Sequence, residues 1–234
     1  MAKFSTINTD KNDRKWEENL KGIEIVDIRK EATSTHLQMR LVGYMEPFSQ
    51  IWVPTEASKA HNPYKLGAKS FPVVCNDFDG EKEEFVRDEC PYRRAKYEDK
   101  DGNLKPLKTQ PNFLIFFLDR DAPKPKVRAA TVSRAFLLGV QEAMDLFKTK
   151  KKLAEVVDPT DDEAFTLYFK YEASESPMRK FQVSLGEDDV LSAADKKEVA
   201  RIPDNVEIKN YEDPKRAADK LERMGYVVEE CLTF

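Results

Sequence analysis

The sequence predicts a mainly β protein with helices, an α+β fold built around a small Greek-key barrel. Three observations favour this fold. Short segments in which apolar and polar residues alternate dominate the chain, one long amphipathic helix pattern occurs at 134–152, and a charged stretch at 54–106 interrupts the strands. The 234 residues are 40% hydrophobic and 35% charged, which suits one large domain or two small ones.

Four segments have the pattern of single β-strands. In 37–41, leucine and methionine alternate with Gln38 and Arg40, which predicts a strand with one buried face. A second strand at 51–53 stops at a proline, and another at 126–132 carries basic residues. The run 113–118 contains no polar residue, so we expect a central strand that is covered on both faces.

Two further strands and three helices complete the elements. The segments 165–169 and 181–185 alternate on either side of a short polar connection, which predicts a β-hairpin. The long helix at 134–152 has Ser133 as its N-cap and lysines at its C-terminus. A second helix is expected from Pro214 to Gly225, and a short third one at 192–200.

The charged stretch at 54–106 has few alternating apolar residues, so we interpret it as a subdomain inserted between strands of the β-core. The chain then divides into an N-terminal arm at 1–34, a core at 35–200 that contains the insertion, and an acidic C-terminal helix and tail at 201–234.

Composition excludes several classes of protein. No apolar run is long enough to span a bilayer, and the first residues lack the apolar stretch of a secretory signal, so we expect no membrane association. Three cysteines, an odd number, argue against a disulfide framework and favour a reducing cytoplasm.

Charge is distributed unevenly along the chain. Residues 91–152 carry 15 Lys and Arg against 7 Asp and Glu, a net of +8, whereas residues 153–234 carry 11 against 20, a net of −9. Such asymmetry is typical of a protein with one surface that attracts a polyanion, although two ordinary solvated faces would give the same count.

His61, Cys75 and Cys90 are the residues most suited to binding a metal ion. A structural zinc site needs four ligands and usually includes two cysteines three positions apart, but the residue three after Cys90 is Arg93. A carboxylate such as Asp77 or Asp88 would have to complete the site; the alternative is two buried thiols and an unrelated histidine.

Catalytic motifs are scarce. The chain has no phosphate-binding glycine loop and no nucleophile elbow. An acidic cluster could serve a Mg²⁺-dependent nuclease, although a solvated acidic turn explains it as well. Its members are Asp77, Asp79, Glu81, Glu83, Glu84, Asp88 and Glu89.

Basic and aromatic residues are interleaved in the way that single-stranded nucleic-acid binding requires, with cations for phosphates and rings for bases. The candidate phosphate contacts are Lys65, Lys69, Arg93, Arg94, Lys108, Lys126 and Arg128. The candidate stacking residues are Trp52, Tyr64, Tyr92 and Tyr97.

The run from His61 to Lys69, followed by Cys75 and then Cys90-Pro91, resembles the zinc subdomain of the gene-32-like single-stranded DNA-binding proteins of tailed phages. Lys108-Thr109, the apolar run 113–118 and the following Asp-Ala-Pro are similar to the segment after the insertion in that family. The likeness covers about residues 35–190. It departs at Arg93, where the family has its last zinc cysteine, and in the absence of a long acidic tail.

The resemblance implies an OB-like barrel with an inserted zinc-type subdomain that lacks the family's last zinc cysteine, and directly supports Lys65, Lys69, Lys108 and Lys126 as DNA contacts. It implies a non-catalytic protein that coats single-stranded DNA in phage replication, recombination and repair, in the cytoplasm of the infected host. Expected partners are further copies along the strand and phage replication and recombination proteins. The alternative is an accessory factor that binds other proteins of a replication or transcription complex.

Overall fold

A computed structural model describes residues 18–32, 36–45, 47–60, 70–171 and 181–229. It confirms a mixed α+β structure that is rich in sheet and has few helices. The chain divides into two compact units. We call Asn19–Glu46 with Asn112–Val206 the sheet unit, and Pro47–Pro111 with Glu207–Phe234 (and Met1–Glu18) the insertion unit, as far as these ranges are described.

The strands, in chain order, are β1 (Glu24–Ile25), β2 (Leu37–Tyr44), β3 (Phe48–Pro54), β4 (Ser70–Cys75), β5 (Phe78–Asp79), β6 (Glu84–Phe85), β7 (Ala95–Glu98), β8 (Leu104–Pro106), β9 (Thr109–Asp119), β10 (Val127–Ser133), β11 (Glu163–Tyr171), β12 (Phe181–Val190) and β13 (Val227–Val228). The helices are α1 (Ile28–Glu31), α2 (Pro91–Arg94), α3 (Arg134–Lys151), α4 (Ala193–Val199) and α5 (Pro214–Arg223). Among the described residues, none of the helices combines the length and apolarity needed to cross a membrane.

Six strands of the sheet unit form one sheet in the order β1-β10-β9-β2-β11-β12. Only β1 and β10 are parallel; the other neighbours along this path are antiparallel. The end strands of this path, β1 and β12, do not pair, so the described residues form no closed barrel. The predicted hairpin of 165–169 and 181–185 is confirmed as β11 and β12.

The core of the sheet unit lies between one face of this sheet and α3. Phe136 and Phe147 of α3 pack against Phe169 and Phe165 of β11, with ring centroids 5.5 and 4.7 Å apart. The prediction of a long helix after Ser133 is therefore confirmed, although the Ser133 side chain makes no capping hydrogen bond.

Strand β9 is covered on both faces, as the run 113–118 predicts, since every one of these six residues is buried. The prediction for β2 was wrong at one position. Arg40, expected on a solvated face, is fully buried and donates hydrogen bonds to the carbonyl oxygens of Leu41 (2.8 Å), Pro159 and Asp161. The chain at 159–161 covers that face and supplies the acceptors that a buried guanidinium needs.

The insertion unit contains the hairpin of β3 and β4, the three-stranded sheet β13-β7-β8, and the two-stranded sheet β5-β6. Its core includes Ile51 and Phe71 from the hairpin, Tyr92 from α2, and Leu221 from α5. The helix predicted from Pro214 to Gly225 is confirmed as α5. Although the sequence predicts a separate C-terminal segment, α5 belongs to the same compact unit as the insertion.

Candidate metal centre and nucleic-acid surface

Cys75, Asp77 and Cys90 bring three potential metal ligands together in the insertion unit. Cys75 is the last residue of β4, Asp77 lies in the turn that follows, and Cys90 directly precedes α2. The two Sγ atoms and a carboxylate oxygen of Asp77 lie within 4.8 Å of one another, and all three residues are buried. Among the described residues, these two thiols and one carboxylate are close enough together to hold a metal ion, whereas the other acidic residues of the segment 77–89 do not join them.

Hydrogen bonds hold the three potential metal ligands of this cluster in place. The two thiols are hydrogen-bond partners, and the backbone N–H group of Arg93 donates to the carbonyl oxygen of Cys90 at 3.1 Å. The Asp77 carboxylate accepts the backbone N–H of Cys90 at 2.7 Å. Backbone as well as side-chain hydrogen bonds thus hold the potential metal ligands in position.

The hydrogen bond between the thiols separates their pKa values. The bond from Cys75 lowers the pKa of Cys90 against the effect of burial, with help from the N–H groups of Arg93 and Tyr92. The same bond, together with burial, raises the pKa of Cys75. Because thiolate is the form that binds metal ions, Cys90 is the better prepared ligand of the two.

Two sulfur ligands and a carboxylate oxygen are within the ligand chemistry of Zn²⁺, which accepts Cys, His and Asp or Glu. Of the two carboxylates that the sequence offers to complete the site, the structure places Asp77 beside the sulfurs, whereas Asp88 forms an ion pair with Arg93 at 3.1 Å. His61 lies outside the described residues.

Arg93 stands where the resembled family has a cysteine. Its guanidinium makes a ring contact and a hydrogen bond within the insertion unit. Its guanidinium carbon lies 4.3 Å from the centroid of the Phe85 ring, a cation–π contact. The same group donates to the carbonyl of Arg87 at 2.6 Å. Arg94 donates to the carbonyl of Glu229 at 2.7 Å. Both candidate phosphate contacts are therefore half-buried and already engaged.

Tyr92 is a correction to the predicted stacking residues. Its side chain is fully buried in the core of the insertion unit, and its hydroxyl donates to the carboxylate of Glu212. Its ring meets that of Phe71 edge-on, with the centroids 6.4 Å apart. Tyr92 is a buried residue of the short helix α2. Its ring therefore has no exposed face on which a base could stack.

Trp52 and Tyr97 keep partly exposed rings. In β3, Ile51 and Val53 point into the core, so Trp52 lies on the opposite face of the hairpin, directly across from Pro72 of β4. Tyr97 packs against the rim of the same core and lies opposite Lys105 in the register of β7 and β8.

The remaining candidate cations differ in their surroundings. Lys108 is exposed and has no ion-pair partner among the residues that the structure describes. In the sheet unit, Lys126 pairs with Glu24 at 2.6 Å, and Arg128 pairs with Asp119 at 2.9 Å. The last two cations are thus neutralised within their own unit. The candidates Tyr64, Lys65 and Lys69 lie outside the described residues.

The sequence analysis did not select Tyr44 as a candidate stacking residue, although this residue is 62% exposed at the end of β2. Its signal is a tyrosine at the polar end of a strand pattern, directly before Met-Glu-Pro, where an aromatic ring has no core to enter.

Comparisons with known proteins identify no relative. No protein-family model, no curated protein and no solved structure matches this chain.

Proposed function

We propose that this protein binds single-stranded DNA without catalysis and coats unpaired strands in phage replication, recombination and repair. The observation that carries the proposal is the ladder of β7 and β8, where the half-exposed ring of Tyr97 lies opposite Lys105, Lys96 precedes Tyr97 on the other face of β7, and exposed Lys108 lies just beyond β8. A ring opposite a cation, with further cations nearby in the chain, is local chemistry that suits an unpaired, charged strand.

The cations of this ladder are available to phosphate although two have partners. Lys105 and the backbone N–H groups of Asn103 and Asp101 hold the pKa of Asp99 at about 2, so this carboxylate is ionised at neutral pH. Lys96 pairs with Glu229. The side chains of Lys105 and Lys96 are 55% and 29% exposed, so a phosphate would compete with the carboxylate for each lysine.

Binding would act on the DNA by mass action. A protein that contacts bases and phosphates only in the unpaired strand shifts the equilibrium of the duplex towards the open form. The OB-like barrel of the resembled family is part of this proposal, as are further copies along the strand and phage replication and recombination proteins as partners, in the host cytoplasm.

Paired lysine variants test the phosphate contacts. Lys108→Ala is compared with Lys150→Ala, which removes an exposed cation from α3 in the sheet unit. We expect Lys108→Ala to weaken binding to a fluorescent single-stranded oligonucleotide and to reduce the log–log salt slope by about 0.7, the value for one phosphate. Lys150→Ala leaves both unchanged. Equal effects of the two variants would show that binding depends only on overall charge.

Tryptophan fluorescence tests the stacking contact. The chain has two tryptophans, so the measurement uses the Trp16→Phe variant, in which Trp52 alone emits. We expect single-stranded DNA to quench this emission. Trp52→Leu should lose on the order of 1–3 kcal/mol of binding free energy, whereas Trp52→Phe retains most of it because a ring remains. Unchanged affinity in Trp52→Leu would remove this residue from the site.

We further propose that Cys75, Asp77 and Cys90 supply three of the four ligands of a Zn²⁺ ion, which would tie β4 to the start of α2. Elemental analysis of the purified protein should find about one zinc per chain. Cys90→Ser and Asp77→Asn should lose it, whereas the control Asp88→Asn keeps it. Fully reduced protein that takes up no zinc when Zn²⁺ is added would contradict this assignment.

A further inference from the structure

The two buried cysteines of the insertion unit are oriented towards each other, not merely placed in the same core. Cys75 and Cys90 are both free thiols. Their sulfurs are joined by a hydrogen bond and lie within 4.8 Å of each other. A disulfide has an S–S length of about 2.05 Å, so the sulfurs need to approach by less than about 3 Å.

We propose that Cys75 and Cys90 are an oxidation site, which forms a reversible intrachain disulfide when the cluster is free of metal. The oxidant is a small hydroperoxide, because the side chains are only 2% and 7% exposed and exclude larger reagents.

The chemistry proceeds in two steps. The sulfur of Cys90 attacks the terminal oxygen of hydrogen peroxide, the O–O bond breaks, and sulfenic acid and water are formed. The sulfur of Cys75 then attacks the Cys90 sulfur, the S–O bond breaks, and the hydroxyl leaves as water with the thiol proton. One peroxide is reduced and two thiols are oxidised. Cys90 is assigned the first attack because it is the more exposed of the two residues, at 7% against 2% for Cys75.

The resulting bond would close the segment 75–90 into a loop. That segment contains β5 and β6, with the rings of Phe78 and Phe85 in edge contact, their centroids 5.3 Å apart. A sulfur in a disulfide is no longer a thiolate ligand, so oxidation and metal binding use the same atoms and exclude each other.

The test uses the full chain, reduced, treated with a chelator and then exposed to hydrogen peroxide. Its result does not depend on whether the protein binds DNA or zinc. We expect the free thiols measured under denaturing conditions to fall from three to one per chain, and a reducing agent to restore them. Peptide mapping of the oxidised wild type should find Cys75 linked to Cys90, with Cys231 free.

Two variants show which of the three cysteines take part in the reaction. In Cys75→Ser, the second thiol is missing, so a sulfenic-acid probe that is present while the oxidised protein is denatured should label Cys90, and no intrachain disulfide forms. The matched variant Cys231→Ser should form the disulfide as the wild type does. The proposal is overturned if the wild type keeps three thiols, if Cys231 is a partner in the bond, or if Cys75 and Cys90 are oxidised separately.

Discussion

The hydroxyl of Tyr92 donates a hydrogen bond to the carboxylate of Glu212, a residue 120 positions later in the chain. Lys220 of α5 lies beside the same pair, with its ammonium 4.5 Å from the centroid of the Phe71 ring and 3.4 Å from Glu212. This buried group joins the insertion to the C-terminal segment within one compact unit.

The first prediction concerns this bond. Tyr92→Phe keeps the ring but leaves the buried Glu212 without its hydroxyl donor, so the free energy of unfolding should fall by about 1–3 kcal/mol. The control Tyr97→Phe removes a hydroxyl that has no hydrogen-bond partner among the described residues, and should change stability little. Urea unfolding measures both. Equal stability of Tyr92→Phe and wild type would contradict the structural role.

The sequence predicted the strands and helices better than it predicted the contacts between distant residues. The apolar run 113–118, the pattern after Ser133 and the proline and glycine around α5 are local signals, and the structure confirms the elements that they predict. The inward direction of Tyr92 depends on Glu212, and no local pattern in a four-residue helix reveals such a distant partner.

Arg40 illustrates the same limit in a strand. Alternation identified β2 correctly, but it could not show that the chain at 159–161 covers the second face. For the candidate metal site, sequence spacing proposed Cys75 and Cys90. The choice between Asp77 and Asp88 required the geometry, because both carboxylates lie in the same charged segment.

The second prediction concerns Arg120, whose guanidinium binds two carboxylates at once. It donates to Asp189 and to Asp195 at 2.7 Å each, and all three side chains are largely buried. Arg120→Met leaves two unpaired carboxylates and should lower the free energy of unfolding by about 3 kcal/mol. The control Arg201→Met breaks an exposed pair with Glu198 and should cost less than about 1 kcal/mol. Similar losses in the two variants would contradict the importance of the buried pairs.

The third prediction is an acid dependence at Asp195. Burial raises the pKa of this carboxyl, but hydrogen bonds from Arg120 and Ser192 outweigh it, so the folded pKa lies below its ordinary value of about 3.9. The unfolded chain therefore binds more protons, and the stability from this charge is present above that value and lost as pH falls through the folded pKa. Asp195→Asn should be less stable than wild type at neutral pH. As pH falls below about 4 the difference should shrink; a constant difference would show that ionisation is not involved.

The fourth prediction concerns Gly186 of β12. A Cβ at this position would overlap the hydroxyl oxygen of Thr166 and lie 2.9 Å from the Thr166 carbonyl oxygen. Gly186→Ala should therefore lower the free energy of unfolding by about 1–3 kcal/mol. In Gly43→Ala the nearest atom is 3.6 Å away, an ordinary contact, so this matched variant should be tolerated. Thermal unfolding distinguishes them, and a fully stable Gly186→Ala would show that β11 and β12 are further apart.

The fifth prediction separates binding from folding at Arg93. Because its guanidinium covers the Phe85 ring and donates to the Arg87 carbonyl, Arg93→Ala should lower the free energy of unfolding by about 1 kcal/mol. Lys108→Ala should weaken binding with no change in the unfolding midpoint, since this side chain is exposed. Arg93→Ala with unchanged stability would show that its contacts are replaceable.

The most direct test of DNA binding is a polarisation titration of the wild-type protein with single-stranded and duplex oligonucleotides of the same length, at two salt concentrations. We expect tighter binding to the single strand, with a log–log salt slope of about −0.7 for each phosphate contacted. Equal affinity for both forms, or no binding to the single strand at low salt, would contradict the proposed function.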